Sequence, residues 1–146
     1  MEEIFNHMQA SFDAKSVNEG LARMLVAAFM ADMNPTLEQL ADVKTAVSEA
    51  VTNAIIHGYN DESRQVMLIC DRRNEQLTVT VEDEGVGIED IEQARQPFYT
   101  SKPELERSGM GFAFMEAFMD KLTVESRPGR GTRVILEKYI AKEYEE

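Results

Sequence analysis

The spacing of apolar residues changes several times along the chain, and each change marks an element. Over residues 3–13, Ile4, Phe5, Met8 and Phe12 alternate loosely with polar positions, which predicts a strand. From Ser16 the spacing lengthens. Ser16-Val-Asn-Glu19 has the form of a capping box and predicts a helix to about Met30, apolar at Leu21, Leu25 and Phe29. Asn34-Pro35 ends that stretch. Thr36-Leu-Glu-Gln39 is a second capping box, opening a helix to His57 with Gly58 as its stop. Leu37, Leu40, Val43, Val47, Val51, Ala54 and Ile55 supply the buried stripe of this helix.

Period two then returns. Strands are expected over Gln65–Asp71 and Leu77–Glu82; in the second, Leu77, Val79 and Val81 face one way and Thr78 and Thr80 the other. A short helix near Asp90–Ala94 leads into Arg95–Ser108, which holds Pro97 and Pro103 and has no periodicity. Helix resumes over Gly109–Met119. Strands Lys121–Ser126 and Thr132–Tyr139 follow, joined through Arg127-Pro-Gly-Arg-Gly131 as a hairpin turn. This order predicts an α+β fold, a two-layer sandwich whose mostly antiparallel sheet is covered on one face by helices.

Composition narrows the class. At 146 residues a single domain over 1–146 is expected, with enough chain to bury a core. No apolar run reaches the roughly 18–20 residues of a membrane span, and Met-Glu-Glu-Ile-Phe is acidic where a signal peptide is basic. Cys70 is the only cysteine, so no internal disulfide or cysteine-based metal site is available, and a cytoplasmic location is expected. The net charge of −12 argues against general binding to nucleic acid or to an anionic membrane, and fits partners with basic patches.

Three short segments carry candidate chemistry. Glu49 and Asn53 are one helical turn apart, and His57 extends the line. They could be a solvated face joined by a hydrogen bond. However, Ala46, Val47, Ala50, Val51 and Ala54 around them are more apolar than a washed surface, so a bound polar ligand explains them better. Asn53 offers Mg²⁺ a neutral oxygen, and Glu49 can accept a proton. His57 reads as a helix-end interaction rather than a ligand. In Asp83-Glu-Gly85-Val-Gly87 the plain alternative is a strand ending in a turn that needs two glycines. The functional reading has Asp83 accept from adenine's exocyclic amine while Gly85 and Gly87 let the backbone approach the ring. No third glycine follows at dinucleotide-fingerprint spacing.

Ser108-Gly109-Met110-Gly111-Phe112 opens an apolar helix. It is either a hinge or a helix start whose free N–H groups receive phosphates. No P-loop motif is present. Residues Arg95–Ser108 would then form a lid. Lys102 and Arg107 could reach the terminal phosphate, Arg107 being the better placed, although solvated loop charge is the default for both.

In this order the three segments resemble the ATP-binding fold of histidine-kinase catalytic domains, gyrase B, heat-shock chaperone ATPases and MutL. Within it the chain is most similar to the small serine-kinase anti-sigma factors of sporulation type. The resemblance is closest over Val47–Tyr59, Asp83–Ile88 and the stretch Arg95-Gln-Pro-Phe to Lys102-Pro-Glu-Leu-Glu-Arg-Ser-Gly-Met-Gly-Phe112. It implies ATP and Mg²⁺ as cofactors, held between helix and sheet beneath the lid. Asn53 becomes the Mg²⁺-linked residue, Glu49 the base and Asp83 the adenine reader. Gly85, Gly87, Gly109 and Gly111 become nucleotide-contacting backbone, and Thr132 a hydroxyl near adenine. It further implies a homodimer that silences a sigma factor and phosphorylates a serine on an anti-anti-sigma protein. Two other functions compete. A histidine-kinase module should follow a helical hairpin bearing a substrate histidine, which these residues lack; a sequestering protein would use its nucleotide only to set its shape.

Overall fold

The strand expected over 3–13 forms as β1 (Asn6–Asp13), and the later ones as β2 (Gln65–Arg73), β3 (Gln76–Asp83), β4 (Lys121–Arg127) and β5 (Gly131–Tyr139). A computed structural model of the chain describes residues 3–58, 64–85, 87–88, 90–95 and 111–140. The strands make one five-stranded sheet in the order β1-β2-β3-β5-β4. Every neighbouring pair is antiparallel, so "mostly antiparallel" becomes wholly so.

The alternation in β3 sets the inner face. Leu77, Val79 and Val81 are buried, and register places Leu136 and Val134 of β5 opposite Val79 and Val81. On the other side Leu68 and Cys70 of β2 lie opposite Val81 and Val79. Burial pushes the Cys70 thiol up to about 12, with the nearby Asp71 charge adding to the effect, so this cysteine is a core side chain rather than a nucleophile.

The helices are α1 (Asn18–Met30), a short 3₁₀ turn at Ala31–Met33, α2 (Leu37–Asn53), α3 (Ile91–Ala94) and α4 (Gly111–Phe118). Helix α2 packs against both α1 and α4. Ala22, Val26 and Met30 of α1, Val43, Val47 and Val51 of α2, and Phe112 and Met115 of α4 join the inner face of the sheet in one core.

Local chemistry explains both the agreements and the departures. At the start of α2 both halves of the expected capping box form: Gln39 N–H donates to Thr36 Oγ1 at 3.0 Å, and Thr36 N–H to Gln39 Oε1 at 2.9 Å. The box expected at Ser16 does not form. Val17 occupies the cap position with no side-chain bond, and Glu19 is drawn away, accepting from Ser48 of α2 and lying 3.3 Å from Arg23 Nε. Leu37, expected in the buried stripe, is 87% exposed because it precedes the first turn that faces the core. The helix does reach Gly58, but its last five residues, Ala54–Gly58, are π-helical.

Candidate functional site

The row that buries Leu77, Val79 and Val81 ends on Asp83. Period two therefore delivers a carboxylate to the inner face at the end of the strand. Register sets Thr132 of β5 directly opposite. Among the described residues these are the two buried polar side chains, each 8% exposed. Asp83 Oδ1 accepts from Gly85 N–H at 2.9 Å. Burial pushes the Asp83 carboxyl up to about 6, while the backbone N–H groups of Gly85 and Thr132 pull it back down. At neutral pH it is thus a charged, acceptor-only group with little water, suited to a ligand that donates.

The turn after β3 and the β4–β5 hairpin are locked together around this carboxylate. Ser126 Oγ accepts from Ile88 N–H at 2.8 Å, donates to the Gly131 carbonyl at 3.0 Å and lies 2.8 Å from Thr132 Oγ1. Gly131 has φ +89°, and a Cβ there would sit 2.0 Å from the Asp83 carbonyl oxygen, so only glycine lets the hairpin close on β3. Gly87 also has positive φ, 77°, which accounts for that glycine in the Asp-x-Gly-x-Gly segment. A cleft of about 790 Å³ opens at this end of the sheet, lined by Asp83, Ser126 and Thr132 and, from the outward row of the strands, by Met67, Glu82 and Arg133.

Glu49 and Asn53 sit one turn apart near the end of α2, both half-buried, beside the buried Ala46, Val47, Ala50 and Val51. The π-helical segment that follows Asn53 packs against β3 and β5, the strands that carry Asp83 and Thr132. Such π segments recur at functional sites because the added residue re-aims the side chains near it. Glu49 and Asn53 do not line the cleft itself, whose walls run from Ser11 of β1 and Met67 of β2 across Asp83 to Thr132 and Arg133 of β5. Gly111 is buried at the first position of α4, which packs against α2.

Lys102, Arg107, Gly109 and Met110 lie outside the described residues, as do residues 96–108 of the segment expected to form the lid and the His57 side chain; Arg95, at the start of that segment, pairs with Glu116 of α4. The structure thus brings Asp83, Gly85, Gly87 and Thr132 together at one end of the sheet. Ser126 is the residue that motif reasoning passes over. The signal for it was present: the hairpin turn pairs Arg127 with Gly131, and so pairs Ser126 with Thr132.

No helix among the described residues is long and apolar enough to cross a membrane. Residues 12–138 match the model of the histidine kinase-like ATPase domain family. The anti-sigma F factor of Clostridium perfringens is 58% identical over 134 residues, covering 91% of this chain and 96% of that one. The anti-sigma F factor of Geobacillus kaustophilus is 56% identical over 138 residues, covering 94% of each. Among solved structures, the RsbU and RsbW domains of a Mycobacterium tuberculosis protein superpose with a TM-score of 0.70 at 18% identity, over 94% of this chain and 33% of that one. The catalytic domain of the histidine kinase ThkA gives 0.56 at 18% identity, over 93% and 99%. At that identity these two likenesses speak to the fold alone.

Proposed function

The chain belongs to the histidine kinase-like ATPase family and, within it, to the anti-sigma F factors, and from that premise we propose that it is an ATP-dependent protein serine kinase as well as an anti-sigma factor. It binds a sigma factor of the sigma-F type and holds it inactive, and it phosphorylates a serine on an anti-anti-sigma protein. The observation that carries the nucleotide half of this reading is the buried Asp83 carboxylate facing Thr132, with backbone N–H groups of Gly85 and Thr132 as its donors.

In this reading Asp83 accepts from the exocyclic amine of adenine, with Thr132 beside it. Gly85 and Gly87 bring bare backbone close to the ring, and Gly109, Met110 and Gly111 turn their N–H groups to the phosphates. Lys102 and Arg107 offset phosphate charge, Arg107 during transfer itself. ATP supplies the γ-phosphoryl group. Glu49 takes the proton of the incoming serine hydroxyl as the serine Oγ–phosphorus bond forms and the bond to the ADP oxygen breaks; the proton ends on the Glu49 carboxylate.

Mg²⁺ fits this chain as a companion of the phosphates. No three His, Cys, Asp or Glu side chains cluster as a cage among the described residues. Mg²⁺ is commonly held by one or two protein oxygens with phosphates and waters completing the octahedron, and Asn53 would supply such an oxygen.

Helix α1 supports the partner half. Val17, Leu21 and Met24 are 78%, 46% and 72% exposed, an apolar face of the kind that marks protein contacts. Edge strand β1 is the natural place for the homodimer contact, and the cytoplasm the natural location. The kinase reading is tested by incubating the protein with γ-labelled ATP, Mg²⁺ and its anti-anti-sigma partner. Acid-stable label on a serine of the partner supports it. Acid-labile label would indicate histidine chemistry instead, and complex formation without any label would reduce the protein to a sequestering role.

A further inference from the structure

A lysine interrupts the inward row of β5. Val134 and Leu136 are buried, as is Ile140 just past the strand, and period two puts Lys138 in the same row between two fully buried side chains. The Lys138 side chain is only 12% exposed. An ammonium is costly in such a place unless it finds acceptors. Lys138 Nζ meets two helices at once. It donates to the carbonyl of Phe118, the last residue of α4, at 2.6 Å, and lies 3.9 Å from Asp42 Oδ2 on α2. A helix leaves its last carbonyls without partners of its own, and a cation there also suits the negative end of the dipole.

The two contacts fix which helix ends meet. Asp42, Ala46, Glu49 and Asn53 fall at i, i+4, i+7 and i+11, along one face of α2. Lys138 joins the Asp42 end of that face to the C-terminal end of α4, and α4 packs against α2. The start of α4, Gly111, is thereby carried toward the end of α2 that holds Glu49 and Asn53. Asp120, just past α4, is tied to β5 by bonds of its own: its N–H donates to the Glu137 carbonyl at 2.9 Å, and Tyr139 N–H donates to its Oδ2 at 2.7 Å. Those bonds hold the corner of α4 to the sheet, whereas Lys138 extends the tie to α2. We propose that Lys138 is a positioning residue for phosphoryl transfer: by clamping the far ends of α2 and α4 together, it sets the spacing of Glu49 from Gly111 at their near ends. Eight helical residues span about 12 Å, so a displacement at Phe118 is carried along α4 to Gly111. The inference rests on reading Glu49 as the base and the start of α4 as the seat of the phosphates.

The experiment measures ATP affinity, and label transfer at saturating ATP over a range of anti-anti-sigma concentrations, for the full chain and for Lys138→Met, Lys138→Arg and Asp42→Asn. Thr36→Ala, which removes the cap of α2 without touching Lys138, is the control for lost stability. Lys138→Met keeps the reach of the side chain but removes its charge and its donor. It should lower kcat about tenfold, with the KM for the protein substrate unchanged and ATP affinity reduced only a few-fold. Lys138→Arg keeps a cation with N–H donors and should recover most of the rate, and Asp42→Asn should fall between Lys138→Met and wild type. If Lys138→Met keeps the wild-type kcat, or if Thr36→Ala loses as much kcat for the same loss of stability, the role of the lysine is merely structural and the inference fails. If Lys138→Met does not fold, Asp42→Asn decides, because it weakens only the contact with α2: a wild-type kcat there overturns the inference. Wild-type protein that binds no ATP, or transfers no label, would instead overturn the reading of the site, and this inference with it.

Discussion

Asp83 is held in a place that disfavours its charge. Its carboxyl sits at about 6 against an ordinary 3.8, burial being the larger cause. Between those values the folded chain keeps a proton that the unfolded chain has released. The stability this group contributes is therefore fullest below about pH 4 and declines as pH rises through about 6. Nucleotide binding runs the other way, because only the carboxylate accepts from an amine. ATP affinity should fall roughly tenfold per unit as pH drops below about 6. Calorimetric titration from pH 5 to 8 checks this, and a flat profile would show that Asp83 does not read the base. At this scale the site was legible wherever a residue broke its local pattern: an acid ending an apolar row, glycines in a turn. Ser126 broke no pattern. A serine in a half-buried strand is unremarkable until register sets it beside Thr132.

The two capping boxes show what a local motif can and cannot say about an element. Thr36 and Gln39 bond reciprocally, whereas Ser16 makes no cap because Glu19 finds Ser48 and Arg23 instead. Thr36→Ala should cost about 1 kcal/mol in urea unfolding, while Ser16→Ala should cost less than about 0.5 kcal/mol. Equal losses would mean that the cap assignments are wrong. Val47 is fully buried on α2, two residues before Glu49, so Val47→Ala should cost about 2 kcal/mol by removing packed methyls in the core. Element order, the hairpins and the inner face of β3 were legible because alternation and turn residues are local signals. The π-helical end of α2 was not. It depends on how the helix end packs against β3 and β5, which no spacing within 54–58 encodes.

As a whole the molecule carries a formal charge of −12, an unusual background for binding ATP and a favourable one for meeting a basic protein segment. Association with the sigma factor should slow as salt rises from 0.05 to 0.5 M, with the change mostly in the on-rate; salt-independent association would remove long-range attraction from the account. The central claim is that Glu49 serves the transfer of phosphate to a serine rather than the binding of ATP. Its most direct test compares wild type with Glu49→Gln in two readings on the same preparation: ATP affinity, and the initial rate of label transfer to the anti-anti-sigma protein. The expected result is a rate lower by about 10²–10⁴ with ATP affinity changed only a few-fold. Label transfer at the wild-type rate, or a loss accounted for by weaker ATP binding alone, would contradict it.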